Sequence, residues 1–373
     1  MKQRSLKKRL VALVTTVLTL VMCMAGTMSA YAVDEGANVN NGIFTFTKYL
    51  VMEEDANVPN VTFDFTIEAG KAMDADGTNP AIYEGIGTPT VTTAEFTAAD
   101  TTTTGKPDNA SATDYKYVTK EVNVDFSGVD FTAPGIYRYT ITEKNESASG
   151  ITYDASVLTM DVYVQYKDET TADLEVKYCV LHDDTDNPNT AAKSEGFINE
   201  YDTSNLILEK QVTGNQGNRD KYFEFTVTIS NAVPGTVYDV DLTGASWNST
   251  PANPAKLTVE STGTVSGKFY LNDDDKIIIQ GMTSDTEYTI EEADYTTDGY
   301  STSYVLDSST STTSNIIGAE TMGDKDHTVT FTNNKQGTVP TGVLLETAPY
   351  IILGVVVIAG FVVLFATRRR RSR

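Results

Sequence analysis

Three residue types recur in one order along the chain, and together they describe a reaction. Phe46-Thr47-Lys48 comes first, then Tyr139-Thr140-Ile141-Thr142-Glu143, then Phe197-Ile198-Asn199. The same order returns as Leu208-Glu209-Lys210, Tyr288-Thr289-Ile290-Glu291-Glu292 and Phe331-Thr332-Asn333. A lysine on an inward strand position is costly, because an ammonium resists burial. Matched with a buried asparagine and a buried glutamate, that cost acquires a purpose. A neutral amine can attack the asparagine side-chain carbonyl, release ammonia and leave an isopeptide bond.

The amine must first lose its proton. At the ordinary lysine pKa of about 10.4, roughly one in 2,500 is neutral at pH 7. Burial among apolar side chains can lower that pKa by about 3–5 units, and it raises the pKa of a carboxyl group. A protonated glutamate could then polarise the amide and shuttle protons. In the second set, Glu291 and Asn334 adjoin the chosen residues; register with Glu143 and Asn199 favours Glu292 and Asn333.

The elements that must position these groups are strands. Apolar and polar residues alternate with period two in Phe44–Val51, Val61–Ile67, Val122–Phe126, Ile136–Thr142 and Leu158–Tyr166. They do so again in Tyr222–Ile229, Tyr288–Ile290 and Thr328–Thr332. With Gly, Asn, Asp and Pro clusters between them, these segments predict an all-β chain of antiparallel sandwiches. Thr88 to Thr113 reads as a long loop or irregular insertion. The internal repeat places a domain boundary near Thr203.

The two ends carry other signals. Lys2, Arg4, Lys7, Lys8 and Arg9 precede an apolar stretch from Leu10 to Met24, and Ala30-Tyr31-Ala32 is a small-x-small cleavage site. Residues 1–32 therefore read as a signal peptide cut between Ala32 and Val33. At the other end, Val339-Pro340-Thr341-Gly342 precedes an apolar run from Tyr350 to Ala366 and the basic tail Arg368-Arg369-Arg370-Arg371-Ser372-Arg373. The run is long enough for a minimal membrane-spanning helix, with the arginines on the cytoplasmic side. Residues 337–373 thus look like a Gram-positive cell-wall sorting signal, read by a sortase that cleaves between Thr341 and Gly342.

Residues 33–341 hold 18 basic and 50 acidic residues, a net charge of about −32. That excludes nucleic acid and anionic membrane surfaces as natural partners. Cys179 is the one cysteine left after signal removal, so disulfides cannot toughen this secreted chain. Its length suggests two domains, 33–203 and 204–336. His182 and His327 sit in acidic, polar segments and read as surface residues. Asp183-Asp184-x-Asp186 and Asp273-Asp274-Asp275 lack the glycine and distal glutamate of a calcium loop, so no metal is expected. Trp247 reads as a packing residue. No P-loop, dinucleotide fingerprint or zinc spacing occurs, so neither a cofactor nor an enzyme acting on substrates is indicated.

The lysine strands, the Tyr-x-Ile-x-Glu strands, the Phe-x-Asn strands and the terminal Val-Pro-Thr-Gly resemble the major (backbone) pilins of Gram-positive sortase-assembled pili, of the two-domain streptococcal type. The resemblance covers essentially the whole mature chain. It implies two tandem Ig-like (CnaB-type) sandwiches, a Lys48–Asn199 bond promoted by Glu143, and a Lys210–Asn333 bond promoted by Glu292. It also implies an acceptor amine shortly before the first bond-forming asparagine. Lys193, in Ala191-Ala192-Lys193-Ser194-Glu195-Gly196, holds that place, with Lys177 and Lys167 behind it. The implied partners are a sortase, further copies of the chain, tip and base pilins, and peptidoglycan. A wall-anchored adhesin or minor pilin that binds a host ligand is the competing reading; the lack of an extra N-terminal binding domain weighs against it. Each crosslink would close a loop of more than 100 residues and contribute about 4–5 kcal/mol by the chain-entropy model. A covalent clamp between first and last strands would also carry a pulling force past the sandwich.

Overall fold

The computed structural model describes residues 39–76, 79–168, 172–183, 193–246, 249 and 251–337. The expected signal cleavage at Ala32–Val33, the Val339–Gly342 motif, the apolar run after Tyr350 and Trp247 lie outside these residues. Among the described residues, no helix is long and apolar enough to cross a membrane. One turn of 3₁₀ helix, Thr296–Asp298, is the helical structure among them; the rest is strand and loop.

Period-two alternation gives each strand one inward face. In the strand Ile43–Glu53 the buried side chains include Phe44, Phe46, Lys48, Leu50 and Met52. In Ser204–Thr213 they are Ser204, Leu206, Leu208, Lys210 and Val212. A lysine thus occupies a core slot in an otherwise apolar row, twice. Two separate cores result, one drawn from Val39 to Tyr201 and one from Leu206 to Phe331.

Each core lies between two sheets. In the first, the lysine strand Ile43–Glu53 pairs antiparallel with Tyr115–Asp125 and parallel with the asparagine strand Gly196–Tyr201. The facing sheet carries the glutamate strand Gly135–Glu143, set between Phe65–Ala69 and Val157–Tyr166. The second repeats the plan. Its lysine strand Ser204–Thr213 lies between Lys276–Met282, antiparallel, and the asparagine strand His327–Asn334, parallel. Its glutamate strand Glu287–Glu292 pairs with Phe223–Ser230 and Ile316–Thr321 in the facing sheet.

Three expectations need correction. The sandwiches are not wholly antiparallel: first and last strands run side by side in the same direction, which period-two alternation cannot reveal. The segment 88–113 is not simply a loop, since Thr90–Val91 and Thr103–Thr104 add to the sheet edge and Ala94–Phe96 pairs with Val61–Phe63. Ala94 and Phe96 are buried there. The histidines are not surface residues. His327 is buried, with Nδ1 2.9 Å from the Tyr288 hydroxyl. His182 is mostly covered, its Nε2 3.7 Å from Asp161. Asp161 in turn accepts two hydrogen bonds, at 2.7 and 2.8 Å, from the buried Arg138 guanidinium.

Candidate functional site

The register of the parallel strands sets the site. Lys48 stands opposite Phe197, and Asn199 stands opposite Leu50, two residues further on. In the second sandwich Lys210 stands opposite Phe331, and Asn333 opposite Val212. A spacing of two keeps both side chains on the inward face, diagonal to each other. The glutamates come from across the core. Glu143 is paired with Phe65, and Glu292 with Phe225, at equivalent points of the two facing sheets.

These placements bring the predicted groups together. Lys48 Nζ lies 2.6 Å from Glu143 Oε2, and both side chains are wholly buried. Asn199 Nδ2 donates to Glu143 Oε1 at 2.5 Å. In the second site Lys210 Nζ is 3.3 Å from Glu292 Oε1, again with both side chains wholly buried. Asn333 Nδ2 donates to the same Oε1 at 2.9 Å. Glu291 is exposed and Asn334 only partly covered, so the inward pair is Glu292 and Asn333.

Burial prepares both partners. It lowers the Lys48 and Lys210 amines to about 8 each, against the pull of Glu143 and Glu292, which favours the charged amine. The same burial raises both glutamates above the ordinary carboxylate range, with the neighbouring lysines opposing it. Each glutamate touches both amine and amide, so one proton can pass between them within the triplet.

Two residues of this site escaped the sequence reading. Phe63 covers Lys48 Nζ at 4.7 Å from its ring centroid, and Phe223 covers Lys210 Nζ at 4.4 Å. Each ring sets apolar surface against the amine, which sustains desolvation. Phe63-Asp64-Phe65 and Phe223-Glu224-Phe225 share a Phe-acid-Phe pattern that marked them.

Lys193 lies apart from both triplets. It is exposed, and an isolated bridge ties it to His182. It borders an open groove of about 330 Å³, lined also by Phe44, Phe46, Cys179, Leu181 and Glu195. Gly196 follows, at φ +146, a conformation that suits glycine; a Cβ there would strike the Thr47 carbonyl. Lys167 and Lys177 are exposed too, the latter 3.6 Å from Glu175, so exposure alone does not choose among the three. The acidic run at Asp273 is spent on backbone: Asp273 accepts the Val212 N–H at 2.6 Å, and Asp275 those of Ser246 and Asn272, both at 2.8 Å.

A sandwich whose first and last strands bring a buried lysine and asparagine to a glutamate of the facing sheet is the arrangement expected of an isopeptide-containing surface domain, and the chain is similar to proteins of that class. Residues 44–202 match the Spy0128-like isopeptide containing domain, and residues 204–335 match a domain of unknown function, DUF7601. A pilin of Streptococcus pyogenes serotype M1 is 29% identical over 329 residues, covering 86% of this chain and 89% of that one. The crystal structure of the major pilin from Streptococcus pyogenes aligns with a TM-score of 0.57 at 26% identity, over 80% of this chain and 100% of that one. A mutant of that pilin aligns with a TM-score of 0.58 at 25% identity, over the same shares. The chain is a pilin: a structural subunit of a cell-surface pilus, and not an enzyme.

Proposed function

We propose that this chain is the shaft subunit of a covalently polymerised pilus, and that it crosslinks itself twice before assembly. The observation that carries the reading is the duplicated geometry. Lys48, Glu143 and Asn199 in one sandwich, and Lys210, Glu292 and Asn333 in the other, meet in the same register from the same sheets. The two units divide between residues 203 and 204. Signal removal leaves Val33 at the front, and the helix after Tyr350 holds the precursor in the membrane. A sortase then cleaves after Thr341 within Val339-Pro340-Thr341-Gly342 and joins that carboxyl to Lys193 of another copy. Tip and base pilins complete the fibre, and peptidoglycan receives its foot.

Immunoblots of cell-wall extracts test the polymer. A ladder of high-molecular-weight species is expected, and Lys193→Ala should abolish it while leaving a folded, wall-associated monomer. A ladder that persists in Lys193→Ala moves the acceptor role to Lys167 or Lys177.

A further inference from the structure

In the first sandwich the two ends of the Asn199 amide meet different partners. Nδ2 donates to Glu143, while Oδ1 accepts the backbone N–H of Asp154 at 2.8 Å. Asp154 is latched in place by its own carboxylate. Its Oδ2 accepts the N–H of Ile198, the neighbour of Asn199, at 3.0 Å, and its Oδ1 accepts the N–H of Ser156 at 2.9 Å. The latch fixes the loop to the asparagine strand from both directions and aims one N–H at the amide oxygen.

That oxygen is where charge develops. Attack by Lys48 Nζ on Asn199 Cγ pushes the carbonyl electrons onto Oδ1, on the side facing away from Glu143. We propose that the Asp154 backbone N–H is the oxyanion donor for this bond, and that the Asp154 carboxylate is the positioning group that holds it on target. The proposal rests on the isopeptide reading given above. As the Nζ–Cγ bond forms, Glu143 takes a proton from Nζ and delivers it to Nδ2. The carbonyl then reforms, the Cγ–Nδ2 bond breaks, and ammonia leaves. Glu143 ends as it began. A preorganised donor at a developing oxyanion lowers the barrier because it is already oriented when the charge appears.

The second sandwich has no counterpart. Asn333 Oδ1 is buried and meets no hydrogen-bond partner among the described residues. It therefore serves as an internal reference within one molecule.

The test follows both bonds in time. Residues 33–341 are made by cell-free synthesis, quenched in denaturant at intervals, digested, and the two crosslinked peptides counted by mass. Replacing the Asp154 backbone amide by an ester deletes the N–H and keeps the side chain. It should slow the first bond roughly 100-fold and leave the second unchanged. Asp154→Asn keeps an Oδ1 acceptor and should retain most of the rate, while Asp154→Ala should lose part of it. Folding is read separately by melting the ester chain in an Asn199→Ala background, where the acceptor oxygen is gone and the melting temperature should not move. A first bond that forms at the ordinary rate in the ester chain would overturn the proposal. So would an ester that unfolds the domain, which would assign the hydrogen bond to stability. An unaltered chain that loses no ammonia would overturn the parent reading instead, and that result appears before any variant is compared.

Discussion

Lys48 stands opposite Phe197, not opposite Asn199. The reacting asparagine is the next inward residue along a strand running in the same direction, so the amine must reach diagonally across one pleat. Lys210 and Phe331 show the same offset. Phe197 and Phe331 are wholly buried, and each packs edge-on against another core ring, Phe46 and Phe225 respectively. Aromatic bulk at the position opposite each lysine fills the space that water would need to reach the amine.

The intact mass of residues 33–341 should fall short of the sequence mass by two ammonia molecules. Glu143→Ala and Glu292→Ala should each restore one, because the proton has no other carrier in either triplet. A full-mass unaltered chain would refute both bonds.

Loss of the second bond should be felt locally. Glu292→Ala removes a crosslink and leaves Lys210 buried without its carboxylate, so the second sandwich should lose on the order of 5 kcal/mol or more. Limited trypsin digestion reads this directly. Fragments should come from residues 204–336 while the first sandwich stays intact; equal cleavage of both would show that the two do not fold independently.

An uncrosslinked chain should be stabilised by alkali. With Asn199→Ala and Asn333→Ala in place, the folded lysines lose their protons near pH 8, whereas in the unfolded chain they hold them to the ordinary lysine value. Between those limits the unfolded state binds more protons, so stability rises with pH. The glutamates carry the opposite sign: stability gained from their raised values is lost as pH rises through them. Urea titrations from pH 8 to 10 should show a rise on the order of 1–3 kcal/mol. It should vanish when Lys48 and Lys210 are also replaced by Met; a flat profile in the parent would show that burial does not perturb the amines.

The triplets were readable because each reacting group is a polar residue at a position where alternation demands an apolar one. Lys48 follows Phe44 and Phe46 on the same face, and no ordinary core would place it there. Strand direction was not readable, since a side-chain period of two is the same in parallel and antiparallel pairs. Phe63 and Phe223 were hidden for the opposite reason to the lysines: a phenylalanine at an inward position is what any core uses. Asp154 contributes through its backbone, and a backbone N–H leaves no trace in residue type. His327 misled because its neighbours Asp324, Lys325 and Asp326 are polar, yet it begins the last strand and turns inward onto Tyr288.

Only Asp202 and Thr203 separate the first asparagine strand from the second lysine strand. With the acceptor at Lys193 and the donor at Thr341, the unbroken covalent route between neighbouring subunits runs from Lys193 along Gly196–Tyr201, through those two residues to Lys210, then across to Asn333 and out. Residues 33–192 are a side branch of that route. The two proposed crosslinks would therefore be wired differently: Lys210–Asn333 in series, a shortcut that takes the stretch 211–332 out of the circuit, and Lys48–Asn199 as a rivet that fastens the branch to the line. Breaking Lys48–Asn199 would loosen a subunit's flank; breaking Lys210–Asn333 would lengthen the fibre.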